Sequence, residues 1–410
     1  MGNEHSKRHT KSENDSVSTR SEKRSPITHY DPYIDIYYQR LKGTNDKICY
    51  NNIQKLFDED LTESLWRYFT NNNLEKREIT RDEFHKNFKP LNGMSTDIYV
   101  KILQPVFHFV KVCSDAAGAS AIQGDEAFIK TLVEKMTGGS KDEEEATESI
   151  LNWRRSDCEK FCNAVQSLVI SKVTGTQFQK QDYSSDILTP LQMWYLQCSL
   201  PSIYFPEKEK AVSNHWSPLY TSMQHGISTN RFENFVFGYK GPTVSIFRLK
   251  DKRVIVLAVD QEWRHGGNRF GGSSTCYFEI LPNMKRIEAS QSVYCNLKVR
   301  ASAFGLSFKE EMKIDKDFSE VHDIEVWGCA GADTLAEQQK LKNWQKQQSE
   351  KHKKVPLPGN WDDNPDKTIL EMAGFQFSNE RENMEMEARR KNEQDRNERE
   401  EYIARQNLEK

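Results

Sequence analysis

Residues 218–263 read PLYTSMQHGISTNRFENFVFGYKGPTVSIFRLKDKRVIVLAVDQEW, and their hydrophobic pattern decides the fold. Within them, GPTVSIFRLK (241–250) alternates and places Val244 and Ile246 on one face of a strand. The next segment, RVIVLAV (253–259), is apolar almost throughout and predicts a strand covered on both faces. Gly-Pro and Asp-Lys pairs mark turns before and between these segments. The pattern therefore predicts neighbouring strands in the interior of a sheet.

The strand pattern continues towards the C-terminus. TCYFEIL (275–281) alternates, with Cys276, Phe278 and Ile280 on one face, and SVYCNLKVRA (292–301) and DIEVWG (323–328) add further strands. Upstream, Thr189-Pro190 begins the helix PLQMWYLQCSL, which Pro201 ends. We therefore expect a mostly antiparallel sheet with a few helices over 185–330.

The preceding region, 30–175, has helical signals instead. Asp31-Pro32 is a typical helix start. In ITRDEF, Thr80 and Glu83 match a capping box, with Ile79 and Phe84 at the hydrophobic-staple positions. Together with several amphipathic stretches, these signals predict an α-helical domain and an α+β protein overall.

The layout of this domain resembles EF-hands, which bind calcium through side-chain oxygens at loop positions 1, 3 and 5. With Ile79 at position 8, Leu74 and Lys76 occupy positions 3 and 5, where neither supplies an oxygen ligand. Aligning Ile122 in the same way leaves two carboxylates, at Asp115 and Glu126. We therefore predict a degenerate, EF-hand-like scaffold without calcium or another metal.

Both ends of the chain are polar. Residues 1–29 contain almost no apolar side chains and are predicted to be disordered. They begin MGNEHSK, in which Gly2 and Ser6 match the N-myristoylation pattern. A single myristoyl chain binds membranes weakly, with a constant of about 10⁴ M⁻¹. Stable membrane attachment therefore needs a second signal. This tail, with six basic and four acidic residues, offers no strong polybasic patch that could supply it.

Residues 331–410 predict charged helices. Thr334 and Glu337 match a second capping box, and Asn364-Pro365 opens a short helix closed by Gly374. The last run, from residue 378, is nearly all charged, and its candidate partner-binding side chains are Met384, Met386, Tyr402 and Ile403. It is either a solvated helix or an arm that binds a protein. Its charges alternate in sign, which argues against nucleic acid as a partner.

Composition sets the class of protein. The 410 residues are 36% apolar, the mean hydropathy is −0.81 and the net charge is −3. No stretch approaches the ~20 consecutive apolar residues of a membrane span, and no apolar signal-peptide region follows Met1. Eight scattered cysteines are typical of reduced thiols in the cytosol. We expect an intracellular protein that contacts membranes only from their surface.

The strand region resembles a TLDc domain. The resemblance rests on the Leu-Tyr, Gly-Pro-Thr-Val and Glu-Val-Trp-Gly series and on GLSFKEEMKIDKDF (305–318), and it covers roughly 188–330. The whole layout is similar to the myristoylated TLDc subgroup. This resemblance implies association with the lysosome or plasma membrane, effects on target-of-rapamycin and FoxO signalling, and binding to the proton pump V-ATPase. Glu325 and Trp327 of the last series are further candidates for partner binding.

No catalytic site stands out, and we predict neither catalytic residues nor a cofactor. Cys158 and Cys162 lack a second zinc-like pair, and the loop HGGNRFGGSS (265–274) is not a P-loop. The candidate hydrolytic groups lack a known signature; they are Glu233, Glu262, His215, His225 and His265. The leading hypothesis is a non-enzymatic adaptor. The alternative is an oxidative-stress enzyme or redox sensor, which an exposed low-pKa thiol would favour.

Overall fold

The computed structural model describes residues 30–73, 75–103, 106–178, 182–205, 216–298, 304–353, 365–374 and 380–408. The described residues up to Gln339 form one compact unit, and those from Lys340 onwards form a second. The expected α+β class is confirmed, with helices first, sheets next and helices again at the end.

Nine helices lie in the described part of the N-terminal region. They are α1 (Pro32–Leu41), α2 (Tyr50–Gln54), α3 (Glu59–Phe69), α4 (Arg81–Leu91), α5 (Asp97–Ile102), α6 (Val106–Ala117), α7 (Glu126–Thr137), α8 (Glu143–Asp157) and α9 (Asn163–Thr174). The predicted starts are confirmed. The Asp31 side chain caps α1, and Thr80 and Glu83 cap the start of α4 reciprocally.

A two-strand ribbon joins two of the loops between these helices. Strand β1 (Ile48–Cys49) pairs antiparallel with β2 (Glu78–Ile79), and Ile48 lies opposite Ile79. The two helix–loop–helix units that resemble paired EF-hands are therefore α1–α2 and α3–α4. Ile122, which the sequence suggested as a comparable loop position, lies between α6 and α7 and donates its N–H to Asp125 at 3.0 Å.

In the described part of the next region, nine strands and three α-helices follow. The strands are β3 (Ser217–Thr221), β4 (Thr243–Leu249), β5 (Val254–Val259), β6 (Cys276–Leu281), β7 (Lys285–Glu288), β8 (Val293–Cys295), β9 (Phe304–Phe308), β10 (Met312–Asp315) and β11 (Val321–Gly328). The helices are α10 (Pro190–Ser199), α11 (Ser222–His225) and α12 (Thr229–Val236). A six-stranded sheet has the order β3-β11-β4-β5-β6-β7, and a three-stranded sheet has the order β10-β9-β8. All neighbouring pairs are antiparallel.

The two faces of the six-stranded sheet enter different cores. Along β5, Ile255, Leu257 and Val259 face the three-stranded sheet and form a sandwich core with it. The alternate residues, Val254, Val256 and Ala258, join a core that also includes the N-terminal helices. We call these the sandwich face and the helix face. Burial of β5 on both sides, predicted from its continuous apolar run, is confirmed.

Helix α10 is the main connection between the helix face and the N-terminal helices. The Trp194 ring lies 4.6 Å from that of Phe161, and the Tyr195 ring lies 5.6 Å from that of Phe128. Because most of its side chains are buried, α10 has no solvent-facing stripe. The N-terminal helices and the sheet therefore share one continuous core.

The C-terminal region is helical, as expected. It contains α13 (Gly331–Lys353), α14 (Pro365–Met372) and α15 (Glu380–Leu408). The predicted box at Thr334 is wrong, because α13 begins at Gly331 and the Thr334 hydroxyl donates to the Ala330 carbonyl within the helix, at 3.0 Å. Of the helices in the described part of the chain, none has the length and apolar content needed to cross a bilayer.

Candidate functional site

Glu325 and Trp327 lie on β11, between β3 and β4. Their neighbours Ile324 and Val326 point into the sandwich core, so the two candidates lie on the helix face. Only 4% of Glu325 is exposed, and the half-buried Trp327 packs against the helix-face core. Both side chains are therefore mainly inside this fold. Their binding to a partner stays a prediction.

The Glu325 carboxylate binds a segment far away in sequence. It accepts hydrogen bonds from the Ser185 hydroxyl at 2.5 Å and from the Asp186 N–H at 3.3 Å. Burial raises the pKa of Glu325 to about 7, although these hydrogen bonds act in the opposite direction. Glu325 thus holds residues 182–189 against the sheet.

Two further side chains of the sheet bind the same segment. Thr221 on β3 donates its hydroxyl to the Asp186 carboxylate at 2.7 Å. Arg248 on β4 donates to the Ile187 carbonyl at 2.7 Å and to the Asp323 carboxylate at 3.0 Å. Sequence reasoning did not find this cluster, since Ser185 and Glu325 are 140 positions apart and the Glu-Val-Trp-Gly series does not point to Ser185.

The candidate hydrolytic residues are only partly brought together. The Glu233 carboxylate lies 3.2 Å from the His265 ring nitrogen Nε2 and 2.6 Å from the Lys298 ammonium. In contrast, the His225 ring packs against Phe235, with 4.2 Å between centroids, and Glu262 is exposed. His215 lies outside the described residues. The three side chains form a polar cluster in which Glu233 and His265 are half-buried.

The glycine loop binds a carboxylate of the protein itself. Asp260, just after β5, accepts from the Gly272 N–H at 2.6 Å, the Ser274 N–H at 3.0 Å and the Thr275 hydroxyl at 2.7 Å. Donors that could cradle a phosphate are therefore already occupied. The expected turn between strands is the better interpretation.

The thiols are mostly shielded. Seven of the eight cysteines are buried, and Cys49 is half-buried with its thiol 2.7 Å from the Asn52 side-chain oxygen. Burial raises the pKa of Cys276 and Cys295 to about 12. Burial also raises the pKa of Cys113, Cys198 and Cys329. A higher thiol pKa lowers the fraction of reactive thiolate at neutral pH.

Cys158 and Cys162 line the helix-face core rather than a ligand site. The Cys158 sulfur accepts from the Ser199 hydroxyl on α10 at 3.3 Å. Among the described residues, no group of three or more His, Cys, Asp or Glu side chains is arranged to hold a metal ion.

The C-terminal candidates are exposed where their side chains are described. Met384 is 70% and Met386 is 52% exposed on α15. Tyr402 and Ile403 belong to the same helix, but their side chains lie outside the described set, as does Gly2. Helix α14 adds Ile369, 62% exposed, and Met372, 86% exposed. These two share one helix face, a pair that the spacing i, i+3 within the predicted short helix could have revealed.

Comparison with known proteins assigns the sheet region. Residues 181–324 match the family model described as TLDc domain. The match supports a TLDc domain in this part of the chain. The TLDc match includes the 182–189 segment and the first half of β11, and it ends at Ile324. The predicted TLDc resemblance is thereby confirmed for this region.

One curated relative is Restriction of telomere capping protein 5 from Leptosphaeria maculans. It is 22% identical to this chain, and the match covers 43% of this chain and 43% of that protein. The chain thus matches less than half the length of this relative.

Proposed function

We propose that this protein is a non-enzymatic regulatory adaptor that joins a membrane-bound protein complex to the cytosol. The observation that carries the proposal is the contrast between the compact unit formed by the described residues up to Gln339 and the exposed apolar side chains of α14 and α15. Exposed apolar side chains on otherwise polar helices are typical of surfaces that bind another protein.

Attachment to the membrane follows from two weak signals in this proposal. Gly2 carries a myristoyl group, and a protein interface supplies the second signal that stable attachment requires. The protein then resides on the cytoplasmic face of the lysosome or plasma membrane, with a cytosolic pool. The lipid assists the protein interface and does not replace it.

The V-ATPase is the partner that the TLDc resemblance favours. The TLDc domain and C-terminal helices bind one conformation of the pump better than another and so shift its assembly or activity. Effects on target-of-rapamycin and FoxO signalling follow from that contact. Nucleic acid is not part of the proposal, since the charges of α15 alternate in sign.

The alternative, an oxidative-stress enzyme or redox sensor, receives less support. A redox sensor needs an accessible thiol with a lowered pKa, whereas burial raises the pKa of five cysteines here. Among the hydrolytic candidates that the structure describes, which exclude His215, only Glu233 and His265 are brought together.

Fractionation with mass spectrometry of bound proteins tests the adaptor proposal. Wild type should co-sediment with membranes and capture V-ATPase subunits. Gly2→Ala should shift most of the protein to the soluble fraction, whereas Asn3→Ala, the matched control, should not. A Gly2→Ala protein that stays fully membrane-bound would show that the lipid is dispensable.

The C-terminal part of the proposal is tested by Ile369→Gln combined with Met372→Gln, and separately by deletion of 378–410. Both variants should keep the fold and lose most of the captured pump subunits. Wild-type protein that captures no pump subunit from lysosomal membranes would refute this partner, and unchanged capture by both variants would refute the C-terminal interface.

A further inference from the structure

Residues 182–189, which we call the strap, lie along the chain between α9 and α10 and are bound to the helix face of the sheet. Ile187 and Leu188 are buried, whereas Asp186 is exposed. The Ser185 hydroxyl accepts from the Ile187 and Leu188 N–H groups, at 3.1 and 3.0 Å, while it donates to Glu325. The Ser185 hydroxyl therefore links the backbone of the strap to the Glu325 carboxylate on β11, in addition to the contacts of the strap with Thr221, Arg248 and, through Thr189, Asp125.

Glu325 is poorly placed to hold a negative charge. It lies opposite Ile246 on β4 and Thr221 on β3, beneath the strap. An ionised carboxylate in such a buried position loses hydration, and the two hydrogen bonds from the strap replace only part of it. The negative charge of Asp186 adds to this cost.

The neighbouring cations are engaged elsewhere. Arg248 on β4 pairs with Asp323 and the Ile187 carbonyl, and His322 also pairs with Asp323, at 2.9 Å. His225, at the end of α11, binds the backbone of Thr221 through Nδ1. In the described part of the chain, the titratable and charged groups near Glu325 and the strap include Asp186, Arg248, Asp323 and these two histidines. They also include the buried Asp125, whose carboxylate accepts from the Thr189 hydroxyl of the strap at 2.8 Å.

We propose that the strap is a pH-sensitive latch, closed when Glu325 is protonated and released from the sheet when Glu325 ionises. Release lets water reach the carboxylate, and the Ser185 hydroxyl and Asp186 N–H then bind water instead. Because the strap leads directly into the buried helix α10, the latch controls the segment through which the N-terminal helices connect to the TLDc sheet.

The sign of the pH dependence follows from the two pKa values of Glu325. Its pKa is about 7 with the strap closed and returns towards 4.5 when the strap opens. The closed state then binds more protons, so the opening constant rises with pH between these values and levels off above pH 7. From pH 6 to pH 8 the expected increase in the opening constant is about tenfold.

Hydrogen exchange of the full-length chain measures this opening. After correction for intrinsic exchange rates, the Ile187 and Leu188 amides should lose about tenfold protection between pH 6 and pH 8. Amides of β5, such as that of Leu257, should show no such loss. Glu325→Gln keeps a carbonyl acceptor without the charge and should make strap protection independent of pH.

Two matched variants complete the test. Glu279→Gln removes another buried carboxylate of the same sheet, which accepts from Asn283 on the neighbouring turn at 2.7 Å, and should leave the strap profile unchanged. Because histidines in general change charge near neutral pH, His225→Gln tests whether that ring is responsible. Wild-type strap protection that does not change with pH, or a profile abolished by His225→Gln rather than by Glu325→Gln, would overturn the proposal. The wild-type measurement decides even if Glu325→Gln does not fold.

Discussion

The two faces of the six-stranded sheet differ in the kind of contact that covers them. The sandwich face is covered by three short strands and packs apolar side chains such as Leu257 and Phe308. The helix face packs against α10 and the N-terminal helices, but it also carries the buried Glu325 and its polar contacts with residues 182–189. The sandwich face is thus held mainly by apolar packing, with a few polar contacts such as the Trp263 N–H donating to the Thr243 hydroxyl at 2.7 Å. The helix face combines apolar packing with a contact that depends on charge.

The largest effect is expected from a substitution that creates a cavity beneath the helix face. Phe278 is 1% exposed on β6, and Phe278→Ala should lower the free energy of unfolding by about 3–5 kcal/mol. Because this core is shared, the amides of α6 and β5 should lose hydrogen-exchange protection together. Leu257→Ala, on the sandwich face, is the matched comparison and should instead loosen β8 and β9. Identical exchange patterns for the two variants would contradict the division into two cores.

A smaller effect, an increase in the free energy of unfolding, is expected at the contact between Glu325 and residues 182–189. The protonated Glu325 contributes stability that is complete below about pH 4.5 and is lost as pH rises to about 7. Glu325→Gln should therefore gain about 3 kcal/mol relative to wild type at pH 8, and less than about 1 kcal/mol at pH 5. Urea unfolding at both pH values measures the difference. A Glu325→Gln variant that is less stable than wild type at pH 8 would contradict this assignment.

The smallest effect is expected at the end of β5, away from both cores. Asp260→Ala leaves the Gly272 and Ser274 N–H groups and the Thr275 hydroxyl without their acceptor. Since water can reach this half-buried loop, the cost should be about 1 kcal/mol. Asp251→Ala removes an exposed turn carboxylate that pairs with Arg253, and it should cost less. Thermal unfolding compares the two variants, and equal losses would show that the loop is not held by Asp260.

Local patterns predicted the elements whose causes are local. The continuous apolar run of β5 indicated burial on both faces, and Thr80 with Glu83 indicated the start of α4, because both signals involve residues a few positions apart. The same reasoning was wrong at Thr334. Helix α13 begins three residues earlier, and its Gln338 side chain donates to the carbonyls of Phe235 and Phe237, a contact about a hundred positions away.

The candidate site was less predictable than the fold. Glu325 and Trp327 were found through the Glu-Val-Trp-Gly series, yet the series does not reveal that Glu325 is buried beneath Ser185. The i, i+3 spacing of Ile369 and Met372 could have predicted this exposed pair. In contrast, nothing in the loop around Ile48 indicates that it pairs with Ile79.

The sequence by itself determined the α+β class, the strands of the TLDc domain, several helix starts and the polar character of both ends, because these depend on hydrophobic periodicity and local capping. The tertiary structure decided which face of the sheet meets the helices, which loop pairs with Ile79, and that a buried carboxylate of β11 binds residues 182–189. Such contacts join residues far apart in the chain, and burial, which raises the pKa of Glu325, exists only once those segments pack together.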